Sequence, residues 1–324
     1  PVPGAMARSA QVTLVSVVMP ALDQVEFVDR AVESVLSQDH GDLELVAVDG
    51  GSTDGTLERL RAWERDDPRV RLLPGPDRGQ GHALARGFAA SRGGLLGWLN
   101  SDDRYLPGAV AAGVRHLEAR PGIDVVYGRG WYVDRDDRPL WPYPTAPFDR
   151  DRLRRHCFVC QPAVFFRRRL VEIAPVREDL RCALDYELWI RASARLAFEH
   201  VDELWAASRL HDASKTVVER RLVYEEAQAV CREHFGYHPF AWILGEVYEL
   251  GLGARPVPRK RIAPLLVAYP WAILRFLVRN RTLRRPGELL RELAGHAAGL
   301  PAFLARALRP TGRSGPAPPA GSRL

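Results

Sequence analysis

Two stretches decide the reading of this chain: LELVAVDGGSTDGT (43–56) and LLGWLNSDD (95–103). Each opens with an apolar run of strand length and closes in a turn of carboxylates and small residues. In an open α/β sheet, ligands sit outside the carboxyl ends of the strands. Acids placed there on neighbouring strands point to a nucleotide together with a divalent cation. Mg²⁺ and Mn²⁺ prefer carboxylate oxygen. Asp103, or Asp102 beside it, can supply one ligand and leave positions for phosphate oxygens. Asp49 ends the first run and can accept from a base N–H or a ribose hydroxyl, and Gly51 lets the backbone come close to a ligand.

Working outward, residues 14–19 (LVSVVM) read as a buried strand ending at Pro20. Residues 25–38 place Phe27, Val28, Ala31, Val32, Val35 and Leu36 at helical spacing. A helix is expected over 56–64, with Thr53 and Asp54 able to cap it, then a strand at 70–73 and the loop PGPDRGQG. A helix at 81–91, a strand at 95–99 and a helix at 109–119 behind Pro107 follow. This alternation predicts an α/β domain, a mostly parallel, Rossmann-like sheet flanked by helices. After residues 125–127 the pattern changes. A hairpin is expected over 131–143, a strand over 161–167, and helices over 184–194 and 222–235.

At 46% hydrophobic and 27% charged, the 324 residues have the composition of a globular protein with a real core. Cys157 and Cys160 form a lone C-x-x-C with no second pair, which argues against zinc and against a disulfide framework. The opening PVPGAMARSA lacks the charged-then-apolar order of a signal peptide, and Met6 is a candidate start, so a cytoplasmic protein is expected. The net charge of +6 hides an asymmetry: residues 251–324 carry 14 Lys and Arg against Glu288 and Glu292, a net of +12, leaving −6 for the rest. Residues 262–278 are apolar but interrupted by Pro264 and Pro270 and contain Arg275. That is short of the ~20 residues a membrane span needs. Basic clusters at 259–261 and 279–285 around Trp271, Ile273, Leu274, Phe276 and Leu277 instead suit a segment lying on the inner face of an anionic membrane. No groove-reading motif accompanies the charge, which argues against nucleic acid. Residues 288–308 are amphipathic and 310–324 are Pro/Gly/Ser-rich, with disorder expected.

VSVVMPALDQVEFVDRAVESVLSQDHGDLELVAVDGGSTDGT resembles the opening of family 2 glycosyltransferases, which have the GT-A fold. RGQGHALARGFAASRGGLLGWLNSDDRYLPGAV is similar to that family's run into its D-x-D-type metal motif. QPAVFFRRRL and LDYELWIR look like its acceptor-side and base segments, and the resemblance covers residues 13–215. It implies an inverting transfer of a sugar from a nucleotide diphosphate donor, UDP-sugar favoured, to an acceptor hydroxyl in a cell-envelope glycan, a glycolipid or a secondary metabolite. Asp49 matches the nucleobase aspartate, Asp102 the ribose side and Asp103 the Mn²⁺ or Mg²⁺ ligand, with Pro20, Asp23, Gly51 and Gln80 on the donor side. Asp185 matches the general base, His211 a histidine near metal or pyrophosphate, flanked by Arg209 and Lys215, and Gln161 and Trp189 the acceptor side. The family often has Asn at Asp23, an aromatic at Leu22, and Asp and Asn where His82 and Arg86 stand.

Blander readings stand beside these. Asp54 reads first as a cap, Glu187 as structural, and Trp131, Trp141 and Trp189 as core residues before a sugar-stacking platform. The expected organisation is a tail at 1–12, the catalytic domain at 13–235, a helical basic extension at 236–309 and a tail at 310–324. The alternatives are a degenerate nucleotide-binding scaffold and a nucleotidyltransferase. PALDQVEF is not the Gly-rich basic loop of the latter, and the intact Asp49, Asp102, Asp103 and Asp185 argue against the former.

Overall fold

The computed structural model describes residues 13–251, 262–280, 287 and 290–295. The expected tails at 1–12 and 310–324, and most of the 288–308 stretch, lie outside the described residues. The chain divides into two compact units that interleave in sequence, where the sequence reading had one catalytic domain followed by an extension. The first takes the described residues up to Gly130, Cys160–Glu178 and Leu196–Ser208; the second takes Trp131–Val159, Asp179–Arg195 and the described residues from Arg209.

The first unit begins with β1 (Val15–Ala21), α1 (Val28–Leu36), β2 (Leu43–Asp49), α2 (Thr56–Asp66), β3 (Val70–Leu73), α3 (Gln80–Ala90) and β4 (Leu95–Trp98). β1 and β2 are buried along their whole length, as continuous apolar strands covered on both faces must be. β2 also buries a carboxylate near its start, Glu44. Burial pushes its carboxyl up, but the Ser16 hydroxyl at 2.6 Å and the Arg92 amide and guanidinium at 2.6 and 2.8 Å outweigh that and hold it below the usual range. α1 packs Val28, Ala31, Val32 and Val35 inward, the spacing read from the sequence.

Next come β5 (Arg104–Tyr105), α4 (Ala109–Ala119) and β6 (Val125–Val133). β7 (Pro139–Pro142) and α5 (Arg150–Leu153) belong to the second unit; the first resumes with a 3-10 turn at Gln161–Ala163, β8 (Val164–Arg167) and α6 (Arg169–Ile173). The second adds α7 (Leu184–Ala192), and β9 (Phe198–Arg209) lies almost wholly in the first. The sheet order is β3-β2-β1-β4-β8-β6-β9-β5, with β7 on β6. The strands from β3 to β4 are parallel, whereas β8 runs antiparallel to both β4 and β6. Strand–helix alternation thus describes the first half of the sheet. The antiparallel half is built by pairing between distant segments.

The rest of the second unit is helical: α8 (Lys215–Val218), α9 (Arg220–Phe235), α10 (Phe240–Glu246), a π turn at Val247–Gly251 and α11 (Ile262–Arg279). α11 is one helix with Pro270 inside it, so the prolines do not interrupt it as the sequence reading expected. Pro264 falls in its first turn, where no intrahelical N–H bond is lost. Among the described residues, no helix is long and apolar enough to cross a membrane.

Candidate active site

Asp49 is the last residue of β2 and is fully buried. Its Oδ2 accepts from the Gly51 amide at 2.9 Å and the Ser52 amide at 3.2 Å, which closes the turn. Its Oδ1 is buried with no partner. A buried carboxylate oxygen left without a donor carries a desolvation penalty of about 1–3 kcal/mol. An incoming N–H or O–H would remove it. Gly51 sits at φ +98, a conformation that only glycine adopts freely. At Gly50 a Cβ would lie 2.7 Å from the Asp77 carboxylate, which would have to move aside.

The β1–α1 loop is stitched to this turn. The Asp23 amide donates to Ser52 Oγ at 3.0 Å and the Asp23 carboxylate accepts from the Thr53 amide at 2.8 Å. The Val25 amide donates to Asp54 Oδ2 at 2.9 Å, while Asp54 Oδ1 receives the Thr56 amide at 2.9 Å at the start of α2, as the cap reading anticipated. Asp23 holds φ +51, tolerable because Asp visits the left-handed region more readily than most residues. Pro20 lacks an N–H, and the ladder to β4 has already ended at Val18, so no sheet bond is lost there.

β4 ends on the other side of β1, and its continuation forms the second acidic turn. Asn100 is the node of this turn, a residue the sequence reading passed over. Its Oδ1 accepts from Gln80 Nε2 at 2.8 Å and Trp98 Nε1 at 2.9 Å. Its Nδ2 donates to Gln161 Oε1 at 3.1 Å and Asp103 Oδ2 at 3.3 Å. Gln161 Nε2 in turn donates to the Trp98 carbonyl at 2.6 Å. Asp103 is 4% exposed and Asp102 is half-buried. Asp49 and the 102–103 pair therefore leave the sheet at the carboxyl ends of β2 and β4, flanking β1. Consecutive carboxylates at such an edge are the hard-oxygen donors that Mg²⁺ or Mn²⁺ takes when substrate phosphates complete its shell.

In the second unit, Asp185 is the second residue of α7 and half-buried. Desolvation pushes its carboxyl up to about 6, against the pull of its own amide and that of Tyr186. The backbone before it is held by one side chain from α9. Glu226 accepts from three consecutive amides, Arg181 at 2.8 Å, Cys182 at 2.8 Å and Ala183 at 2.9 Å. Glu187 is buried in a structural ion pair with Arg191 at 2.8 Å and lies 3.1 Å from His234 Nε2.

Several expectations change. Trp189 has no exposure, so it fills the core and offers no face to a sugar. Arg209 is 3% exposed and holds the β6–β7 turn through the carbonyls of Asp134 and Arg135 at 3.0 and 2.9 Å and Asp137 at 2.6 Å, so it is not available to a phosphate. Gln161 has both ends of its amide engaged by Trp98 and Asn100 and braces β4. His211 lies in a short turn after β9, where its amide meets Ser214 Oγ at 3.0 Å, and Lys215 is exposed at the start of α8. Two of the four departures from the family pattern, His82 and Arg86, serve the donor-side loop. His82 Nδ1 accepts the Arg78 amide at 3.2 Å, and Arg86 donates to the carbonyls of Gly75 and Pro74 at 3.2 and 3.0 Å. The expected hairpin is present, with Trp141 opposite Tyr132 and Tyr143 stacked on Tyr132 at 5.0 Å.

Residues 16–173 match the sequence model "Glycosyl transferase family 2". Among curated proteins, the chain is 28% identical to a chondroitin synthase of Escherichia coli over 65% of its length, which is 31% of that protein. It is 27% identical to a hyaluronan synthase of Pasteurella multocida over 64% of its length and 21% of that protein. The chain thus spans under a third of the length of these relatives. Among solved structures, S. aureus TarS 1-349 in complex with UDP-GlcNAc aligns with a TM-score of 0.54 at 16% identity, over 73% of this chain and 81% of that one. The Pyrobaculum calidifontis mannosyltransferase PcManGT in complex with GDP-Man and Mn²⁺ aligns at 0.52 and 16% identity, over 92% and 84%. The likeness to these solved structures is one of fold. Residues 16–173 are those of a family 2 glycosyltransferase, and the chain has the GT-A fold.

Proposed function

We propose that the chain transfers a sugar from a nucleoside diphosphate sugar, UDP-sugar favoured, to an acceptor hydroxyl with inversion at the anomeric carbon. The observation that carries this reading is the buried, half-satisfied Asp49 at the end of β2, with Asp102 and Asp103 at the end of β4. A nucleotide supplies the donor group that Asp49 Oδ1 lacks. UDP-GlcNAc and GDP-Man in the neighbouring structures support a nucleotide sugar as donor.

Asp103, with Asp102 beside it, would hold Mn²⁺ or Mg²⁺. When bound, that cation offsets the charge developing on the diphosphate leaving group. Asp102 faces the ribose, and Gln80, Pro20, Gly51 and Asp23 shape the donor side, Asp23 by fixing the Asp49 turn. Asp185 acts as base: its carboxylate takes the acceptor hydroxyl proton as that oxygen forms its bond to the anomeric carbon and the bond to the diphosphate breaks. His211 and Lys215 are assigned to the diphosphate side. The acceptor class is a cell-envelope glycan, a glycolipid or a secondary metabolite, met in the cytoplasm.

The test is a thermal-shift panel of UDP, GDP, dTDP and CDP with and without Mn²⁺. Stabilisation by one nucleotide, lost in Asp103→Ala at equal metal, is the expected result. No shift with any nucleotide in saturating Mn²⁺ would sink the reading and favour a scaffold that kept the fold without the donor site.

A further inference from the structure

α11 presents two apolar faces, and the fold uses one. Ala268, Ala272 and Phe276 are fully buried against Phe240, Ile243, Leu244, Val247 and Tyr248. Phe240 meets Phe276 edge-on at 5.6 Å and Tyr269 at 5.2 Å, so this inner face is complete. On the outer side Val267 is 51% exposed, Trp271 59%, Leu274 53%, Leu277 49% and Val278 55%. Residues 267, 271, 274 and 278 recur at one-turn intervals and form a continuous stripe. Large aliphatic side chains and a tryptophan exposed in line mark an interaction surface rather than ordinary solvent-facing residues.

Charge selects the occupant. α11 contains no acidic residue. Arg275 and Arg279 are tied to Glu246 at 2.8 and 2.6 Å at the side of the helix. Beyond its two ends the sequence adds Arg255, Arg259, Lys260 and Arg261 before it, and Arg281, Arg284 and Arg285 after it. An apolar stripe on a helix whose neighbours in sequence are basic matches an anionic bilayer surface, with the stripe entering at the depth of the acyl ester groups. Tryptophan is favoured at that depth because one side of its ring is apolar and its N–H is wet. The helix cannot replace this by spanning. Its 18 residues reach about 27 Å, less than the ~30 Å hydrocarbon core, and the inner face would have to leave its packing.

We propose that α11 is an in-plane membrane anchor whose Val267–Trp271–Leu274–Val278 stripe inserts into an anionic leaflet. It holds whether or not the nucleotide assignment does, because it rests on a different part of the chain.

The experiment is co-sedimentation of the full chain with phosphatidylcholine vesicles containing about a third phosphatidylglycerol, against pure phosphatidylcholine, at low and high salt. The wild type should sediment with the anionic vesicles only, and less at high salt. The double variant Trp271→Glu/Leu274→Glu changes two exposed side chains and should keep its melting temperature while its partition falls roughly tenfold or more. Val218→Glu, at a 65% exposed position on α8, should sediment like wild type. A wild type that stays in the supernatant overturns the proposal, as does a double variant that sediments unchanged. A dimer in size-exclusion chromatography that the double variant splits, with no vesicle binding, overturns it in favour of a second copy of the chain.

Discussion

Replacing Asp185 by Asn should abolish turnover and raise stability at the same time. Burial lifts this carboxyl from its ordinary value of 3.8 to about 6 in the folded chain. The folded state therefore binds the proton more tightly than the unfolded one. The charge is a stability cost that is absent below pH 3.8, grows as the pH rises through the window up to about 6, and is fully present above it. At 1.36 kcal/mol per pKa unit the cost at neutral pH is about 3 kcal/mol at most, less whatever partial solvation of the side chain returns. Asn has nearly the same shape and no charge, so the variant should melt a few degrees higher at pH 7 and nearly level with wild type at pH 4. Loss of a general base should lower kcat about 10²- to 10⁴-fold while donor binding holds. In the wild type, kcat/KM should fall about tenfold from pH 7 to pH 5, because a base with a pKa near 6 is mostly protonated at the lower pH. A base at 3.8 would leave that range flat. The assay is a pH series of scanning calorimetry and nucleotide-release kinetics on both proteins. A variant that melts lower at pH 7, or a wild-type rate level between pH 5 and 7, would refute the link between burial and base.

Asp49→Asn keeps an oxygen for the Gly51 and Ser52 amides but turns an NH₂ toward the ligand, so nucleotide affinity by calorimetry should drop roughly tenfold or more with the melting temperature little changed. Asn100→Ala removes the acceptor of the Trp98 indole N–H and of Gln80 Nε2 and the donor to Gln161 Oε1; unfolding free energy should fall by about 1–3 kcal/mol, and an unchanged denaturation midpoint would refute the node. Glu226→Gln leaves one acceptor oxygen for amides that two now serve, so kcat should drop with nucleotide affinity retained, and an unchanged kcat would remove Glu226 as the positioning residue for Asp185.

The parallel half of the sheet was legible because its strands are continuous apolar runs and its helices carry a clear 3.6-residue period. β3 and α4 lie where the pattern put them, and β1, β2 and β4 differ from it by a residue or two. β9 was not legible. Its sequence, FEHVDELWAASR, mixes acids and alanines with poor strand preference, and only pairing with other strands makes it extended. The same limit governed the site. Asp49, Asp102 and Asp103 stood out because turn position and residue type are local properties, whereas Asp185 stood out only through the family resemblance. Which polar side chains support them is not local: Asn100 joins residues up to 61 apart, and Glu226 reaches back 43 to 45 positions. Trp189 and Arg209 show the converse, since their chemistry suits a sugar or a phosphate but burial assigns them to the core and to a turn. The sequence by itself determined the strand–helix order, the two acidic turns and the basic, apolar C-terminal segment, because each is written in residue type and short-range period. Only the tertiary structure decided which acids keep an unpartnered oxygen, which aromatic residues are enclosed and which face of α11 stays uncovered, because desolvation and hydrogen-bond saturation depend on what distant segments bring alongside.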